Sequence, residues 1–367
     1  MSTANGSQAP LGKPDQVVHV LRSEIVRGVF GPGSRMPTQI ELVRRFGVSG
    51  VTIQHALSRL VSDGFVYTKP RKGTFVAADP PHLCHYGVVF HTHPAEAARW
   101  PQFWVALSHE AVRVQQTSTS QLSMFYGING TPHAGDYDEL LRLVQHHLLA
   151  GLIFTSNPYL LADTPLLAEP SIPRVAIMPS ADFPGVTAVD PTGFMERALC
   201  ELAARGRRRV GVITTASRYE AVRAWLSRAA ESGLEIRPEW VQAVHLDYPA
   251  WARNAAQLLM SPELRHRPDG LIITDDNLVP PATAGFAAAG VRVPDDADVI
   301  AHTNFPWPTP SALPACRIGY DATAILRTCI GIIDARRAGN DVPAFVAVPA
   351  VGEDEVAQSH ALARAAI

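Results

Sequence analysis

Near its N-terminus the chain reads Gly33-Ser34-Arg35-Met36-Pro37-Thr38-Gln39-Ile40-Glu41-Leu42, and this stretch decides the fold around it. Thr38 can cap a helix N-terminus while Glu41, three residues later, bonds back to the cap, which is the capping-box spacing. The spacing predicts a short helix over about residues 39–46. Gly47 follows it, at a place where a sharp turn needs a residue without a Cβ.

A second helix is predicted over 51–63, opened by Ser49 or Thr52. Its apolar residues recur with the 3.6-residue period of a helix, and small and polar residues are left on the other face. Two short apolar runs, 65–68 and 74–76, then flank a cationic tip, which predicts a two-stranded wing. A helix with a small, polar outer face suits the major groove of DNA. The whole segment is therefore predicted to be a winged helix-turn-helix.

The same segment matches a known family in register, including both turns and the wing. The matching residues are Gly28, Pro32-Gly33-Ser34-Arg35-Met36-Pro37-Thr38, Glu41-Leu42, Gly47-Val48-Ser49, Thr52-Ile53, Ala56-Leu57, Leu60, Gly64 and Lys72-Gly73-Thr74-Phe75-Val76. On these residues, 16–77 resembles the DNA-binding domain of the GntR family of bacterial transcription regulators. The resemblance implies a double-stranded DNA operator as the partner. The alternative is a three-helix packing module that binds no DNA.

The predicted DNA contacts lie at the starts of the two helices, on the outer face of the second helix and in the wing. They are Arg35, Thr38, Gln39, Ser49, Gly50, Val51, Thr52, Gln54, His55, Lys69, Arg71, Lys72 and Gly73. Relatives usually carry arginines where this chain has Ile40, Gly50 and Gln54. Because glutamine pairs well with adenine while arginine favours guanine, Gln54 predicts adenine in the operator half-site where relatives have guanine. Alternatively, Gln54 is a solvated helix residue.

Charge is divided unevenly along the chain. Up to residue 78 there are ten Lys and Arg against four Asp and Glu, a net charge of +6, and the remainder carries −8. This asymmetry indicates a polyanionic partner for the N-terminal part only. Four scattered cysteines without metal-ligand spacing indicate a reducing cytoplasm and neither a disulfide framework nor a metal site. No apolar run reaches the length that spans a bilayer, so no membrane is expected.

The body reads as alternating apolar strands and helices. Predicted strands lie near 86–90, 122–126, 151–154, 174–177, 209–213, 241–245, 270–274 and 298–302. Continuous apolar strands separated by helices indicate parallel sheets covered on both faces. About ten strands is more than one such sheet usually holds at this length, so an α/β body with two lobes is expected.

Two stretches of the body match a second family. They are Val189-Asp190-Pro191-Thr192-Gly193-Phe194 through 202–213, and Arg267-Pro268-Asp269-Gly270-Leu271-Ile272-Ile273-Thr274-Asp275-Asp276 through 290–300. On these residues, about 84–355 resembles the effector domain of the LacI/GalR regulators, related to periplasmic sugar-binding proteins. The resemblance implies two Rossmann-like lobes joined by crossing strands, with a small, sugar-like ligand between them. Together with the N-terminal part, the chain is similar to arabinose-repressor-type regulators.

Ligand contacts are expected beyond the carboxyl ends of the strands. The candidates are His91, Trp100, Phe103, Trp104, Ser156, Asn157, Arg218, Arg223, Asp275, Asp276 and Asn304. Core packing is the alternative for the aromatic residues, and helix or loop capping is the alternative for the polar residues 156–157 and 275–276. Relatives often have an aspartate at the place of Asn304, so a simple hexose is less expected here.

The predicted domains follow these boundaries. They are a disordered tail over 1–12, a winged head over 13–78, a linker over 79–83, an effector-binding and dimerisation domain over 84–355 and a C-terminal tail over 356–367. The expected function is a non-enzymatic transcription regulator, a repressor, that binds a palindromic operator as a homodimer and releases it on ligand binding. No catalytic residue, cofactor or metal is predicted. The alternative is a winged head fused to a catalytic body; its pyridoxal-phosphate version fails because the body has no lysine.

Overall fold

The N-terminal head, residues 13–78, contains three helices and a hairpin in the computed structural model, which describes residues 12–95, 100–168, 172–231, 233–248 and 250–365. Its elements are α1 (Lys13–Val26), α2 (Gln39–Phe46), α3 (Gly50–Ser62), β1 (Val66–Lys69) and β2 (Gly73–Val76), with the two strands antiparallel. This layout confirms the predicted winged helix-turn-helix. The predicted disordered tail lies outside the described residues, except for Gly12.

Local capping fixes both helices of the turn. The Thr38 backbone N–H donates to the Glu41 carboxylate at 2.6 Å and the Glu41 N–H donates to Thr38 Oγ1 at 3.4 Å, so the capping box is confirmed. Gly47 ends α2 with φ of 63°, the left-handed conformation that favours glycine. Ser49 opens α3, its hydroxyl accepting the Thr52 N–H at 3.2 Å. Side chains within the segment therefore set the helix ends.

The rest of the chain forms two lobes. The first part of the N-lobe comprises α4 (Pro81–Cys84), β3 (His85–Val89), α5 (Gln102–Thr117), β4 (Gln121–Phe125), α6 (Tyr137–Gln145), β5 (Gly151–Phe154), α7 (Pro165–Ala168), β6 (Arg174–Ile177) and β7 (Thr187–Thr192). The C-lobe follows with α8 (Phe194–Ala204), β8 (Val210–Thr215), α9 (Tyr219–Arg223), α10 (Trp225–Glu231), β9 (Val241–Val244), α11 (Ala250–Leu259), β10 (Gly270–Ile273), α12 (Val279–Ala288), β11 (Asp298–Phe305) and β12 (Cys316–Asp321). The last elements are α13 (Ala322–Arg337), β13 (Phe345–Pro349), β14 (Val351–Gly352) and α14 (Glu353–Ala365).

Each lobe is built on a six-stranded sheet. The N-lobe sheet has the order β13-β7-β6-β5-β3-β4, all parallel, and the C-lobe sheet has the order β14-β12-β11-β10-β8-β9 with only β14 antiparallel. Over the residues that the structure describes, the chain crosses between the sheets three times: after β7, after β12 and after β13. The prediction of two Rossmann-like lobes joined by crossing segments is therefore confirmed. In the described part of the chain, no helix is long and apolar enough to cross a bilayer.

Several elements differ from the prediction. The strands β7, β12, β13 and β14 were not expected, because polar residues and proline interrupt their apolar runs and the edge strands are partly exposed. The predicted tail over 356–367 is helical through Ala365, and α14 is tied to the C-lobe by the ion pair between Glu355 and Arg197 at 2.8 Å. Within the predicted linker, residues from Pro81 onward form α4.

The head rests on the N-lobe. Arg22 of α1 is 3% exposed; its Nη1 lies 2.9 Å from His146 Nδ1, and its Nη2 donates to Asp63 at the end of α3. The ring of Phe65 stacks on that of His82 at 5.6 Å between centroids. The apolar core of the head is continuous with one face of the N-lobe. Arg22 thus joins the C-terminal ends of α3 and α6.

A buried carboxylate ties α5 of the N-lobe to a loop of the C-lobe and to the start of α13, the helix that follows the second crossing. Glu110 is fully buried and accepts from Thr323 Oγ1 at 2.6 Å, from Arg113 Nε at 2.7 Å and from Trp307 Nε1 at 3.1 Å. Trp307 follows β11, and Thr323 opens α13. A hydrogen-bonded buried charge of this kind is costly to leave unpaired, so it fixes α5 beside α13 and the C-lobe loop that carries Trp307.

Candidate nucleic-acid interface and ligand cleft

The outer face of α3 carries the side chains predicted to contact DNA bases; this face is called the reading surface. Gln54 and His55 are exposed, and Val51 is 64% exposed. By contrast, the hydroxyls of Ser49 and Thr52 lie 2.9 Å apart and serve the start of the helix. The face therefore offers an amide, an imidazole and an apolar side chain, which are the groups that can meet base edges and the thymine methyl.

Gln39 links the two helices of the turn. Its Nε2 donates to the backbone carbonyl of Gly50 at 2.8 Å, so one of its donors is used inside the protein. A Cβ built on Gly50 would lie 3.3 Å from that same nitrogen. The small residue at position 50 therefore leaves room for the Gln39 contact, which holds α3 relative to α2.

The wing presents its cations on an aromatic support. Lys69 Nζ lies 5.2 Å from the ring centroid of Tyr67 and 5.3 Å from that of Phe75. Arg71 adopts a positive φ of 62° at the tip. Gly73, with φ of 105°, lets the Arg35 guanidinium approach: a Cβ there would lie 3.3 Å from Arg35 Nε. The structure thus brings Arg35 into the wing.

One exposed residue of this surface was missing from the predicted contacts. Ile40, in the first turn of α2, is 66% exposed. The resemblance to the GntR family had already singled out position 40, so this residue could have been included among the predicted contacts. Of the predicted contacts, Thr38 is engaged in the capping box through both its hydroxyl and its backbone.

A cleft of about 580 Å³ lies between the two lobes. Its lining residues follow or end the strands β5 to β12, joined by the start of α5. They are Pro101, Phe103, Trp104, Thr155, Ile177, Met178, Pro179, Asp190, Pro191, Ser217, Arg218, Ala221, Leu246, Asp275, Asp276, Asn277, His302, Asn304 and Tyr320. This is the edge where parallel strands end, which is where α/β sheets bind ligands.

Two polar contacts shape the C-lobe wall of the cleft. Asp275 Oδ1 accepts from the Asn277 backbone at 3.0 Å and caps a short 3₁₀ turn. The Oδ1 of Asn277 in turn accepts the Gln102 backbone N–H at 3.2 Å, a hydrogen bond between the two lobes. The wall is therefore positioned both by its own turn and by the N-lobe.

Asp276 is the most perturbed carboxyl group in the cleft. It is 2% exposed and accepts from Asn304 Nδ2 at 2.6 Å. Burial, and to a smaller extent the neighbouring charge of Asp275, raises its pKa to about 7. Burial also raises the pKa of Asp190, against the opposing effect of Arg218.

Six of the eleven predicted ligand contacts line this cleft. They are Phe103, Trp104, Arg218, Asp275, Asp276 and Asn304. Three others, His91, Ser156 and Asn157, lie instead along a separate cavity of about 150 Å³ on the N-lobe. There His91 Nδ1 lies 3.0 Å from Ser156 Oγ, and burial lowers the pKa of His91.

The remaining two predicted contacts do not line the cleft. Trp100 packs on Phe90 and Trp104, with ring centroids 5.4 and 4.9 Å away, so the core-packing alternative describes it. Arg223 lies over the ring of Tyr219 at 5.8 Å and is exposed. Arg223 comes five residues after Arg218. Because a helix turns by about 100° per residue, the side chain of Arg223 lies on a different face of α9 from the one that borders the cleft.

Sequence reasoning missed other polar residues of the cleft, above all Asp190, His302 and Tyr320. Asp190 and Tyr320 lie in β7 and β12, strands that were not predicted, so the rule about strand ends was not applied to them. His302 was seen as the end of a strand, whereas β11 continues to Phe305. Recognising these strands would have pointed to all three residues.

Two other cavities of similar size have a different character. One of about 810 Å³ lies between the head and the N-lobe, and one of about 630 Å³ lies at the opposite edge of the C-lobe sheet beside α14. Neither lies at the carboxyl ends of the strands. The cleft between the lobes combines aromatic walls with convergent polar groups, which is the usual composition of a ligand site.

Two family models match segments of the chain, one in the head and one in the body. Residues 13–76 match the bacterial regulatory proteins of the gntR family, and residues 200–351 match a periplasmic binding protein-like domain. The chain therefore combines a gntR-family winged helix-turn-helix domain with a periplasmic-binding-protein-like domain.

Two of the curated relatives match over short stretches of the chain. The transcriptional repressor NagR of Bacillus subtilis is 34% identical over 70 residues, 19% of this chain and 29% of that protein. The probable fructoselysine utilization operon transcriptional repressor of Escherichia coli is 43% identical over 56 residues, 15% of this chain and 23% of that protein. The chain thus spans less than a third of the length of these relatives.

Solved structures match the body in fold. A LacI family transcriptional regulator from an Arthrobacter species, in complex with lactose, superposes with a TM-score of 0.56 at 14% identity, covering 73% of this chain and 97% of that one. A LacI family regulator from Lactobacillus casei with bound glucose gives a TM-score of 0.53 at 16% identity, covering 73% and 98%. At these identities the likeness establishes the two-lobed fold.

Proposed function

We propose that the protein is a ligand-controlled transcription regulator, a repressor that binds operator DNA through its head and releases it when a small molecule binds between the lobes. The observation that carries the proposal is the physical continuity between the two parts. The buried Arg22 bonds at once to the end of α3 and to His146 of the N-lobe. A change in the lobe can therefore reach the helix that faces DNA.

The chemistry of the two surfaces supports the same assignment. The head carries a net charge of +6, with exposed cations in the wing and an exposed helix face for base contacts. Phosphate contacts give affinity and base contacts give sequence preference. The cleft has the volume of a metabolite site. Several matched relatives are named as repressors, and two LacI-type structures contain sugars.

The proposed regulator works as a homodimer inside the cell. Two heads related by two-fold symmetry would meet a palindromic operator whose half-sites lie about one or more helical turns apart. Because coupling between two binding sites is reciprocal, operator DNA must change ligand affinity by the same factor as ligand changes operator affinity. A regulator of this kind has no catalytic step.

The test is a binding selection with the full chain on random duplex DNA, followed by titration of the selected duplex against random competitor at moderate salt. A palindromic sequence that binds at least tenfold more tightly than competitor is expected. Sedimentation of the complex then measures whether two chains bind one duplex. Equal binding of all duplexes would overturn the proposal.

A further inference from the structure

The cleft between the lobes has an excess of negative groups. Its described lining includes the three carboxyl groups of Asp190, Asp275 and Asp276 against one guanidinium, that of Arg218. Within the described chain, no ion pair joins Arg218 to these carboxylates, and the Asp190 side chain has no hydrogen-bond partner. The protein itself therefore leaves part of this charge uncompensated.

Burial makes this unpaired negative charge energetically unfavourable. Among the described residues the Asp276 carboxylate has a single side-chain donor, Asn304, and it is almost completely removed from solvent. An ionised carboxylate in such a place is stabilised by a cation within a few ångströms. Arg218 is exposed and acts on Asp276 only at longer range. A cationic group on a bound ligand would stabilise these carboxylates better than Arg218 does.

An independent observation at the same cleft indicates a hydroxyl group on the ligand. His302 is 5% exposed, and neither of its ring nitrogens has a hydrogen-bond partner in the described structure. Burial lowers its pKa to about 3, so the ring is neutral and offers one donor and one acceptor. An alcohol hydroxyl can satisfy either nitrogen or, with a second hydroxyl, both. Unpartnered buried polar groups of this kind are rare in folded proteins.

The walls suit such a ligand. Phe103, Trp104 and Tyr320 line the cleft, and Tyr320 lies edge-on to His302 with ring centroids 5.3 Å apart. Aromatic faces attract cations and also pack on the apolar faces of saturated rings.

We propose that the cleft selects a ligand that carries a protonated amine together with several hydroxyl groups, an amino sugar or amino polyol, in preference to a neutral sugar. The ammonium would lie among Asp190, Asp275 and Asp276, and a hydroxyl would bond to His302. This inference rests on the proposed function of the cleft as the effector site.

The test compares matched compounds that differ in one group. Glucosamine against glucose, galactosamine against galactose, and 1-amino-1-deoxysorbitol against sorbitol are titrated into the full chain near neutral pH, with melting temperature and calorimetric affinity as readouts. At least one aminated member is expected to bind at least tenfold more tightly than its hydroxyl partner. N-acetylglucosamine, in which the amine is neutral, should lose that advantage.

Two variants test whether the carboxylates of the cleft cause the preference for aminated ligands. Asp190→Asn should reduce the ratio of amine to hydroxyl affinity at least fivefold, and Asp276→Asn should do the same if it folds. Asp295→Asn, which changes an exposed carboxylate outside the cleft, is the matched control and should leave the ratio unchanged.

The outcomes separate the two proposals. Neutral sugars binding as tightly as their amines, or no aminated compound binding at all, would overturn the inference about ligand charge. The proposed function would still stand if a neutral ligand released operator DNA. An amine that binds the cleft without changing operator affinity would contradict the proposed function and leave the ligand class intact.

Discussion

The head and the cleft are encoded in different ways. Every group of the head surface comes from one continuous segment of about sixty residues, and its helix ends are set by side chains three residues apart, such as Thr38 and Glu41. The cleft draws its lining from positions between Pro101 and Tyr320, on both lobes. A surface whose residues are close together in the sequence can be predicted from the sequence. A surface whose residues are brought together by strand pairing can be predicted only after every strand has been identified.

Individual residues show which features of the protein could be predicted from the sequence and which could not. The capping box, the turn at Gly47 and the wing were predictable because each depends on neighbours in the chain. Asp275 and Asp276 were predictable because they directly follow an apolar strand. Asp190 could not be found in this way, since its strand is only recognisable once β6 and β13 pair on either side of it. The orphaned nitrogens of His302 depend on packing that no local pattern records.

The largest expected effect tests the head alone. Replacing Lys69, Arg71 and Lys72 with alanine should weaken operator binding by about 100-fold or more and reduce the salt slope by about three units per head, since each lost phosphate contact removes roughly one unit. Ligand affinity of the body should not change. Fluorescence anisotropy across a salt series measures the slope.

The matched control for the wing removes as many cations from the body. Exposed Arg253, Arg265 and Arg327 serve this purpose. If their replacement with alanine weakened operator binding as much as the wing variant, the division between a DNA-binding head and a sensing body would be wrong.

The second prediction tests the cleft through pH. Because the pKa of Asp276 is raised to about 7 from an ordinary value of 3.8, the folded state holds that proton more tightly than the unfolded state. This contribution to stability is therefore full in acid and is lost as pH rises towards 7, with a slope of up to about 1.4 kcal/mol per pH unit. Asp276→Asn should flatten that part of the curve.

Urea unfolding at a series of pH values measures this difference. Asp295→Asn, exposed and outside the cleft, is the control and should follow the wild-type curve. Parallel curves for the wild type and Asp276→Asn would show that Asp276 titrates as an ordinary carboxyl group.

The third prediction sharpens the reading surface of the head. Gln54→Ala should reduce discrimination for adenine at one position of each half-site by about 1–3 kcal/mol, because a bidentate amide contact to adenine is lost. Overall affinity for non-specific DNA should stay the same. Ser58→Ala, one turn further along α3, is the control. A selected half-site with guanine at that position, unchanged by Gln54→Ala, would mean that Gln54 is only a solvated residue.

The smallest expected effect lies at the junction between the two regions, and it decides whether they communicate. His146→Leu removes the acceptor that faces Arg22 while the bond from Arg22 to Asp63 remains. Operator affinity and ligand affinity measured separately should change little. The coupling free energy between the two sites, which is obtained from the ratio of operator affinities with and without ligand, should fall by about 0.5–2 kcal/mol. His146→Gln keeps an acceptor oxygen and should restore part of the coupling. If leucine left the coupling intact, the Arg22 contact would only hold the head in place, and the signal from the cleft would have to pass through the α4 connection instead.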